Sequence, residues 1–350
     1  MSTSDNCKDG ASNFKDDVCE VNNNLNNMSL NDTEVVVSVC ANCGKEGDDV
    51  KNICNKCNQV KYCNAICKKV HKKKHKKACE EYIRLATEKH DEEVRIAAKL
   101  HDEKLFKQPP PAEDCPICFL CLPTLHTGSR YKSCCGKIIC CGCVYAPVYD
   151  NQGNEVAEKT CPFCRVPIPE ALDPKSNEEI IEREKKRFAD NDPIAVYNYG
   201  VYHRHGRQGL AQDHVKALEL WHRAGELGYA RAYGNIGYAY EQGSGVEVDY
   251  KKAICYWELA AIEGDSMARN NLGICEGKAG NHDRALKHFL IAVRGGNAES
   301  LNQIKQMYNH ELATKDAYTR ALQLYQAYLG EIKSPQRDEA AAAHDEYRYY

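Results

Sequence analysis

The sequence predicts a multi-domain chain in which two small cysteine-rich modules precede an all-α helical-repeat solenoid. Cysteines are concentrated in residues 40–79 and 115–164, and only Cys255 and Cys275 follow these clusters. From about residue 192 onward, small and aromatic residues recur with a period of about 36 residues, which is the length of one helix–turn–helix unit. The chain of 350 residues is long enough for several such domains.

The composition favours metal binding as the reason for the 21 cysteines. The N-terminal residues MSTSDNCKDG carry neither a basic nor an apolar segment, so a secretory signal is not expected. No apolar run approaches the roughly 18 residues that cross a bilayer. We therefore expect a cytoplasmic or nuclear protein, in which thiols stay reduced and disulfides are rare. The formal net charge of −3 indicates no particular class of partner.

Four segments outside the cysteine clusters and the repeats are predicted to be tails and linkers. They are a disordered Asn-rich tail (1–35), a helical linker (80–108), a charged helical linker (174–191) and a C-terminal tail (333–350). The helix of the charged linker is expected to begin near Ser176, because Ser176 and Glu179 have the spacing of a capping box.

The first cluster offers eight donors that suit zinc, in pairs separated by two or three residues. They are Cys40, Cys43, Cys54, Cys57, Cys63, Cys67, His75 and Cys79. Tetrahedral zinc takes four such donors, and a two-residue gap lets a tight turn aim both sulfurs at one ion. Eight donors therefore predict two sites. A helix would place His75 and Cys79 on one face, because they are four residues apart.

This spacing, with Tyr62-Cys63 and His75-Lys76, resembles the MYND zinc finger over residues 40–79. The resemblance implies two interleaved sites: Cys40, Cys43, Cys63 and Cys67 in one, and Cys54, Cys57, His75 and Cys79 in the other. It also implies binding of short proline-containing peptides. His71 stands where the family usually has tryptophan, and two roles remain open for it. It is either a competing ligand or a packed ring that replaces the indole.

A run of lysines follows the last cysteines of the first cluster on the expected helix. It comprises Lys68, Lys69, Lys72, Lys73, Lys74, Lys76 and Lys77. One interpretation is a nucleic-acid patch or a nuclear import signal. The other is a solvated face that offsets the negative charge of nearby thiolates. We favour the second, because no aromatic residue for base stacking stands among the lysines.

The second cluster begins with CPIC and ends with CPFC, and CCGKIICCGC lies between them. This pattern resembles a RING domain, in its all-cysteine variant, over residues 112–168. The resemblance implies two crossed zinc sites: Cys115, Cys118, Cys140 and Cys143 in one, and Cys134, Cys135, Cys161 and Cys164 in the other. Cys134 and Cys135 are adjacent, unlike the corresponding donors of most RING domains. Lys137 stands where a common RING has histidine. Cys121 and Cys141 are left over as alternative ligands or free thiols.

A RING holds a ubiquitin-charged conjugating enzyme and contributes positioning rather than a covalent step. The resemblance implies that Ile117, Pro162 and Arg165 dock this enzyme. Ile117 as a core residue and Arg165 as a solvated cation are the alternatives. Phe163 suits packing as well as recognition. The sequence contains no HExxH, phosphate loop or Ser-His-Asp arrangement that would indicate covalent or hydrolytic catalysis.

The third region, residues 192–332, contains about four units of two amphipathic segments each. Three sets of positions define the units: small residues (Ala195, Ala232, Ala268, Ser300), glycines (Gly200, Gly237, Gly273) and aromatics (Trp221, Trp257, Phe289, Tyr325). These residues resemble the Sel-one-like repeats, relatives of the tetratricopeptide family, which implies binding of proteins on a concave face. We expect the aromatic to fill the space between neighbouring units. The fourth unit has Lys305, Tyr328 and Ile332 in place of small residues, as expected of a terminal cap.

Together these modules predict a zinc-binding RING-type ubiquitin ligase with four zinc ions, two per module. The MYND finger and the repeats would recruit substrates or partners. The alternative function is a non-catalytic zinc-binding adaptor for protein–protein interaction. A nucleic-acid regulator and a membrane protein are not favoured.

Overall fold

The computed structural model describes residues 38–47, 50–148, 154, 156, 159–168 and 174–350. The predicted disordered tail, residues 1–35, lies outside the described residues. The chain divides into two compact units, one ending at Glu103 and the other spanning Lys104–Tyr350.

The first unit contains a short hairpin and a long helix. Strand β1 (Asn52–Ile53) pairs antiparallel with β2 (Lys61–Tyr62). Helix α1 (Ala65–Leu105) then runs for 41 residues, so the end of the finger and the predicted helical linker form one uninterrupted helix. This segment lacks Gly and Pro. Exposed ion pairs such as Arg84–Glu88, whose charged atoms lie 2.8 Å apart, add to the stability of the helix.

The second cysteine-rich region forms a hairpin followed by one helical turn. A 3₁₀ turn (His126–Gly128) leads into β3 (Ser129–Lys132), which pairs antiparallel with β4 (Lys137–Cys140). Helix α2 (Cys141–Tyr145) follows at once, and all five of its residues are buried. The hairpin and helix thereby hold the middle cysteines between the flanking CPIC and CPFC turns.

The remaining helices form the solenoid and its C-terminal extension. They are α3 (Pro174–Ala189), α4 (Pro193–His205), α5 (His214–Glu226), α6 (Ala230–Gln242), α7 (Tyr250–Ile262), α8 (Ser266–Lys278), α9 (His282–Arg294), α10 (Ala298–Asn309), α11 (Lys315–Ile332) and α12 (Pro335–Ala343). Helix α3 begins two residues before the predicted start at Ser176. A 3₁₀ turn (Asp345–Tyr347) follows α12.

Polar N-caps set the beginning of most repeat helices. The Asp192 carboxylate accepts from the backbone N–H of Ile194 and Ala195, at 3.0 and 3.2 Å. Asp213, Asp249, Asp265, Asn297 and Thr314 cap α5, α7, α8, α10 and α11 in the same way. Such a cap stabilises a helix by about 1 kcal/mol, so these residues fix where each segment starts.

The repeat glycines let the two helices of one unit approach closely. A Cβ on Gly200 would lie 2.5 Å from the Trp221 indole, and a Cβ on Gly237 would lie 2.5 Å from Trp257. Gly273 stands in the same relation to Phe289. The aromatic thus covers the glycine of its own unit, and it also packs toward the next unit, because Trp257 shares a buried cluster with Ala268 and Leu272.

The fourth unit loses its small residues for a different reason from the one expected. Tyr328 and Ile332 are buried in one cluster with Cys115 and Leu122 of the second cysteine-rich region. The Tyr328 hydroxyl lies 2.8 Å from Thr124 Oγ1, and the Thr124 backbone N–H donates to it at 3.0 Å. These large residues thus join the repeats to the cysteine-rich region rather than closing the solenoid against solvent.

The C-terminal segment, expected to be a tail, belongs to the same core. Helix α12 packs against α2, and Ala340, Tyr347 and Tyr349 are buried in the shared cluster. A Cβ on Gly142 would lie 2.9 Å from the backbone nitrogen of Arg337, so a side chain there would hold the two helices apart.

Candidate metal centres

The described residues contain four sets of donors whose sulfur or nitrogen atoms all lie within 4.8 Å of one another. The sets are Cys40, Cys43, Cys63 and Cys67; Cys54, Cys57, His75 and Cys79; Cys115, Cys118, Cys140 and Cys143; and Cys134, Cys135, Cys161 and Cys164. The structure therefore brings together the same side chains that each resemblance implied. In both modules the sets interleave along the chain.

A recurring turn aims five of the pairs of neighbouring cysteines. The residue after the second cysteine has left-handed backbone at five turns: Gly44 (φ 73°), Asn58 (φ 52°), Phe119 (φ 57°), Gly136 (φ 70°) and Arg165 (φ 63°). The backbone N–H of Gly44 donates to the Cys40 carbonyl at 2.9 Å, and Phe119 and Arg165 make the equivalent bonds at 2.9 Å. A local turn therefore orients the sulfurs, which explains why the spacing alone predicts the pairs.

The distances within the sets fit tetrahedral zinc. With zinc–sulfur bonds of about 2.3 Å, the sulfurs of a tetrahedron lie about 3.8 Å apart. Sγ–Sγ distances are 3.6 Å for Cys43–Cys63, 3.7 Å for Cys118–Cys140 and 3.4 Å for Cys134–Cys164. All 15 cysteines of the four sets are free thiols rather than disulfides. The donor set and its geometry therefore suit zinc.

The mixed set of the first module has the same compact geometry. Cys54 Sγ lies 3.7 Å from Cys79 Sγ, and Cys57 Sγ lies 3.3 Å from His75 Nε2. His75 and Cys79 are buried on one face of α1. This helix therefore supplies two donors to a site whose other two come from the β1 hairpin region.

The thiols of a set influence one another's protonation. A hydrogen bond with Cys67, together with burial, raises the pKa of Cys63 to about 12. Burial alone would raise the pKa of Cys40, but the backbone N–H groups of Cys63 and Asn42 outweigh it and lower the pKa to about 6. Some thiols of a set are thus held protonated beside ionised neighbours. A bound dication would allow all of them to ionise.

The second module shows the same division between neighbouring thiols. A hydrogen bond with Cys115 raises the pKa of Cys140 to about 11. Burial opposes ionisation of Cys161, but the N–H groups of Cys164 and Phe163 outweigh it and lower its pKa to about 7.

The three residues left open as alternative ligands lie outside the four sets. His71 Nδ1 lies 3.2 Å from the Tyr62 hydroxyl, and the His71 ring stacks on His75. Cys141 is fully buried, and the Cys121 thiol lies 3.7 Å from the Leu122 carbonyl. His71 thus has the position of a packed ring beside a ligand.

The lysine run has a structural contact at its first residue. Lys68 Nζ donates to the Ile53 carbonyl at 2.6 Å and to Asn55 Oδ1 at 2.7 Å, which ties α1 to the hairpin. The other six lysines are exposed.

The three expected docking residues differ in exposure. Ile117 is half-buried and packs against the core of the second module. Pro162 is half-buried, and Arg165 is exposed with left-handed backbone. Left-handed backbone disfavours most residues with a Cβ, so the turn by itself does not account for an arginine at this position.

Two exposed aromatics stand beside these residues in sequence. Phe119, which belongs to none of the sequence motifs, is 77% exposed and has left-handed backbone directly after the CPIC turn. Phe163 is 43% exposed, and Lys137 Nζ lies 5.9 Å from its ring centroid. The sequence does carry a signal for Phe119. It stands directly after the second cysteine of its pair, where the first module has Gly44 and Asn58, which tolerate left-handed backbone.

Two arginines that the sequence analysis also missed fasten the second module. Arg337 is fully buried, and its guanidinium donates to the carbonyls of Cys121 and Ile332 at 2.8 and 2.7 Å. Arg187 donates to the carbonyls of Ser133 and Cys134 at 3.1 and 3.2 Å. Neither arginine belongs to a sequence motif, so these hydrogen bonds to the second module are evident only in the folded structure.

Family models match two of the three modules. The MYND finger matches residues 40–79, and the Sel1 repeat matches residues 193–229, 230–265 and 266–297. The chain therefore contains a MYND finger followed, further along, by Sel1 repeats. The RING-type interpretation of residues 112–168 stays a prediction.

The known proteins that are similar overlap this chain only in part. The ERAD-associated E3 ubiquitin-protein ligase component HRD3B of Arabidopsis thaliana is 29% identical over 111 residues, which are 31% of this chain and 17% of that protein. A Sel1 repeat protein from Oxalobacter formigenes is 28% identical, with a TM-score of 0.39, over 44% of this chain and 64% of that one. A protective antigen of uropathogenic Escherichia coli with an SLR fold is 19% identical, with a TM-score of 0.31, over 51% and 45%. The chain thus spans less than two thirds of each.

The modules together define a class of function. The MYND finger and the cysteine clusters indicate zinc binding, and the MYND finger and Sel1 repeats indicate protein partners. Among the described residues, no helix combines the length and apolar character that a membrane crossing requires.

Proposed function

We propose that this protein is a zinc-binding RING-type ubiquitin ligase whose MYND finger and Sel1 repeats recruit substrates or partners. The observation that carries the proposal is the crossed arrangement of the second cluster. Cysteines 115 and 118 group with 140 and 143 across the intervening pair 134 and 135, which groups with 161 and 164. This interleaving is the arrangement that a RING requires.

Such a site acts by positioning. Zinc with four protein ligands has no open coordination position, so each ion would be structural. The ligase would instead hold the thioester of a charged conjugating enzyme near an acceptor lysine, and orientation alone can lower a barrier substantially. Residues of the second module need only present a rigid surface for that task.

The proposed docking surface comprises Ile117, Phe119, Pro162, Phe163 and Arg165, all within or directly after the CPIC and CPFC turns. Exposed aromatics and a planar guanidinium are typical of residues that dominate protein interfaces. Arg165 is suited to bridge ubiquitin and the conjugating enzyme, because its five donors form a fixed fork. The name of the plant relative, a ligase component, agrees with this class. We propose a cytoplasmic or nuclear location.

A conjugation assay tests the proposal. The full chain would be incubated with activating enzyme, a panel of conjugating enzymes, ubiquitin and ATP, and conjugates followed over time. We expect conjugates with at least one conjugating enzyme, and a loss of about tenfold or more in rate with Ile117→Ala or Arg165→Ala. Ile96→Ala and Arg95→Ala, which alter exposed residues of α1 outside the three modules, serve as matched controls and should leave the rate unchanged.

The outcomes separate the class from the site. If no conjugating enzyme supports conjugation, the ligase proposal is wrong. If conjugates form equally well with both variants, the class holds but the docking surface is misassigned. Elemental analysis of the purified chain should give four zinc ions, and a content of two would mean that two of the four donor sets hold no zinc.

One observation favours the alternative, a non-catalytic zinc-binding adaptor. All five residues of α2 are buried, and α12 packs against this helix. Helix α2 of the second module therefore forms part of the hydrophobic core of its unit. An adaptor would bind partners through the MYND finger and the repeats and show no conjugating activity.

A further inference from the structure

A cavity of about 310 Å³ lies beside helices α9 and α11 of the second unit. It is lined by Phe106, Gln108, Lys287, Leu290, Ile291, Arg294, Arg320 and Leu324. Three of these are cations, which we term the cationic rim: Lys287, Arg294 and Arg320. Three are aliphatic, which we term the apolar lining: Leu290, Ile291 and Leu324.

The wall formed by Phe106 is held in place by the repeats. The preceding residue, Leu105, is buried in the cluster of Trp257 and Leu272. Arg269, itself buried, donates from Nη1 to the Leu105 carbonyl at 2.5 Å. The Phe106 ring lies 4.7 Å from the ring of His288. The cavity is therefore preformed, which reduces the entropy lost when a ligand binds.

The cationic rim has no internal counter-charge. All three rim residues are exposed, no carboxylate lines the cavity, and none of the three forms an ion pair within the described part of the chain. Lys287 Nζ instead lies 5.4 Å from the centroid of the Phe106 ring. Three like charges around one concave surface attract an anionic partner and disfavour a cationic one.

The apolar lining indicates that the partner carries an apolar side chain between its negative charges. Leu290, Ile291 and Leu324 are all half-buried at the cavity, so they offer aliphatic surface for a side chain. A cavity of this volume is at the lower end of the range for small ligands. A nucleic-acid strand does not match this surface, because its bases need aromatic stacking platforms and only Phe106 is aromatic here.

We propose that this cavity binds an acidic peptide segment of a partner protein. Carboxylates of the segment would bind the cationic rim, and a large apolar side chain between them would contact the apolar lining. The inference rests on the part of the proposed function in which the repeats recruit partners. It names the chemistry of that partner.

Peptide selection tests this proposal. Random 12-residue peptides displayed on phage would be panned over the immobilised full chain, and an enriched peptide would be synthesised with fluorescein and titrated by anisotropy. We expect enriched peptides to carry two or more Asp or Glu residues around a large apolar residue. The double variant Arg294→Glu/Arg320→Glu should weaken binding about tenfold or more, because it reverses two of the three charges that face the carboxylates of the peptide.

Matched controls keep the result interpretable. Arg207→Glu/Lys251→Glu reverses two exposed cations elsewhere on the repeats and should change affinity less than about twofold. The neutral variant Arg294→Gln/Arg320→Gln should weaken binding as well. Circular dichroism melting of every variant reports whether it is folded.

Three outcomes would overturn the proposal: no enrichment, enriched peptides without acidic residues, or affinity that is equal in the double variant. A fluorescein-labelled single-stranded DNA that binds more tightly than the peptide, and through the rim, would also overturn it. None of these depends on ubiquitin conjugation. Failure of the cavity proposal and failure of the ligase proposal are therefore distinguishable.

Discussion

The two cysteine-rich modules carry the same number of donors in the same interleaved order but are supported in different ways. Among the described residues of the first module, the buried cluster at the hairpin comprises Cys40, Val50 and Tyr62. That of the second includes Ile139, Val144 and Tyr145, and it continues into residues 328–349 at the C-terminal end of the chain. Ligand spacing therefore specifies where metal would bind. It does not specify how far the stability of each module depends on that metal.

Metal removal should produce the largest difference in stability between the two modules. A structural zinc of this kind contributes roughly 10–16 kcal/mol of apparent binding free energy, far more than a core of three residues supplies. We expect a zinc chelator to bring amide hydrogen exchange in residues 40–63 to the rate of an unfolded chain. Residues 137–145 should keep part of their protection, because α2 and α12 remain packed. Equal loss of protection in both modules would contradict the comparison.

Loss of the buried arginine should have the next largest effect. Arg337→Ala removes the donors of the Cys121 and Ile332 carbonyls and should destabilise the second module by about 3 kcal/mol. Chemical denaturation monitored by the near-ultraviolet signal of the tyrosines measures this change. Arg348→Ala, which removes a largely exposed guanidinium near Asp345, should change stability by less than about 0.5 kcal/mol. An equal effect of the two variants would show that the contacts of Arg337 contribute little.

A pair of glycine substitutions sharpens the same contrast. Gly142→Ala places a Cβ 2.9 Å from the backbone of α12, and such overpacking should cost about 1–3 kcal/mol. In the first module, a Cβ on Gly44 meets no atom within 4 Å, so Gly44→Ala should cost only about 1 kcal/mol for its left-handed backbone. Limited proteolysis should release residues 335–350 in Gly142→Ala alone. Release in neither variant would mean that α12 tolerates the added methyl group.

The smallest expected effect is a gain in stability. Phe119→Asn replaces a 77% exposed aromatic in left-handed backbone with a residue that tolerates this conformation, so it should stabilise the turn by about 1 kcal/mol or less. Differential scanning calorimetry measures the shift in Tm. A decrease in Tm would indicate that the ring contributes packing that its exposure does not suggest. If the docking surface is as proposed, the same variant should lower the rate of ubiquitin conjugation.

Much of the local structure was predictable from the residues. The knuckle turns close within five residues, so the spacing of Cys115 and Cys118 is enough to predict that their sulfurs point the same way. The repeat register was equally readable, because a glycine and an aromatic residue, such as Gly237 and Trp257, recur at equivalent places in the first three units. Helix starts also carry a local signal that could have been read, because Asp213 and Asp249 cap α5 and α7 through chemistry that acts over three residues.

The pairs of candidate ligands, the MYND finger and the repeat units could all be identified from the residues, because each depends on contacts between residues close along the chain. Folding was needed to show that Tyr328, Ile332 and Arg337 complete the second cysteine-rich module, and that three separated cations surround one cavity. Thr124 and Tyr328 meet across 204 positions of sequence, and such a contact leaves no periodic pattern to read. The physical reason is that packing of this kind depends on complementary shapes, which are created only when the chain is folded.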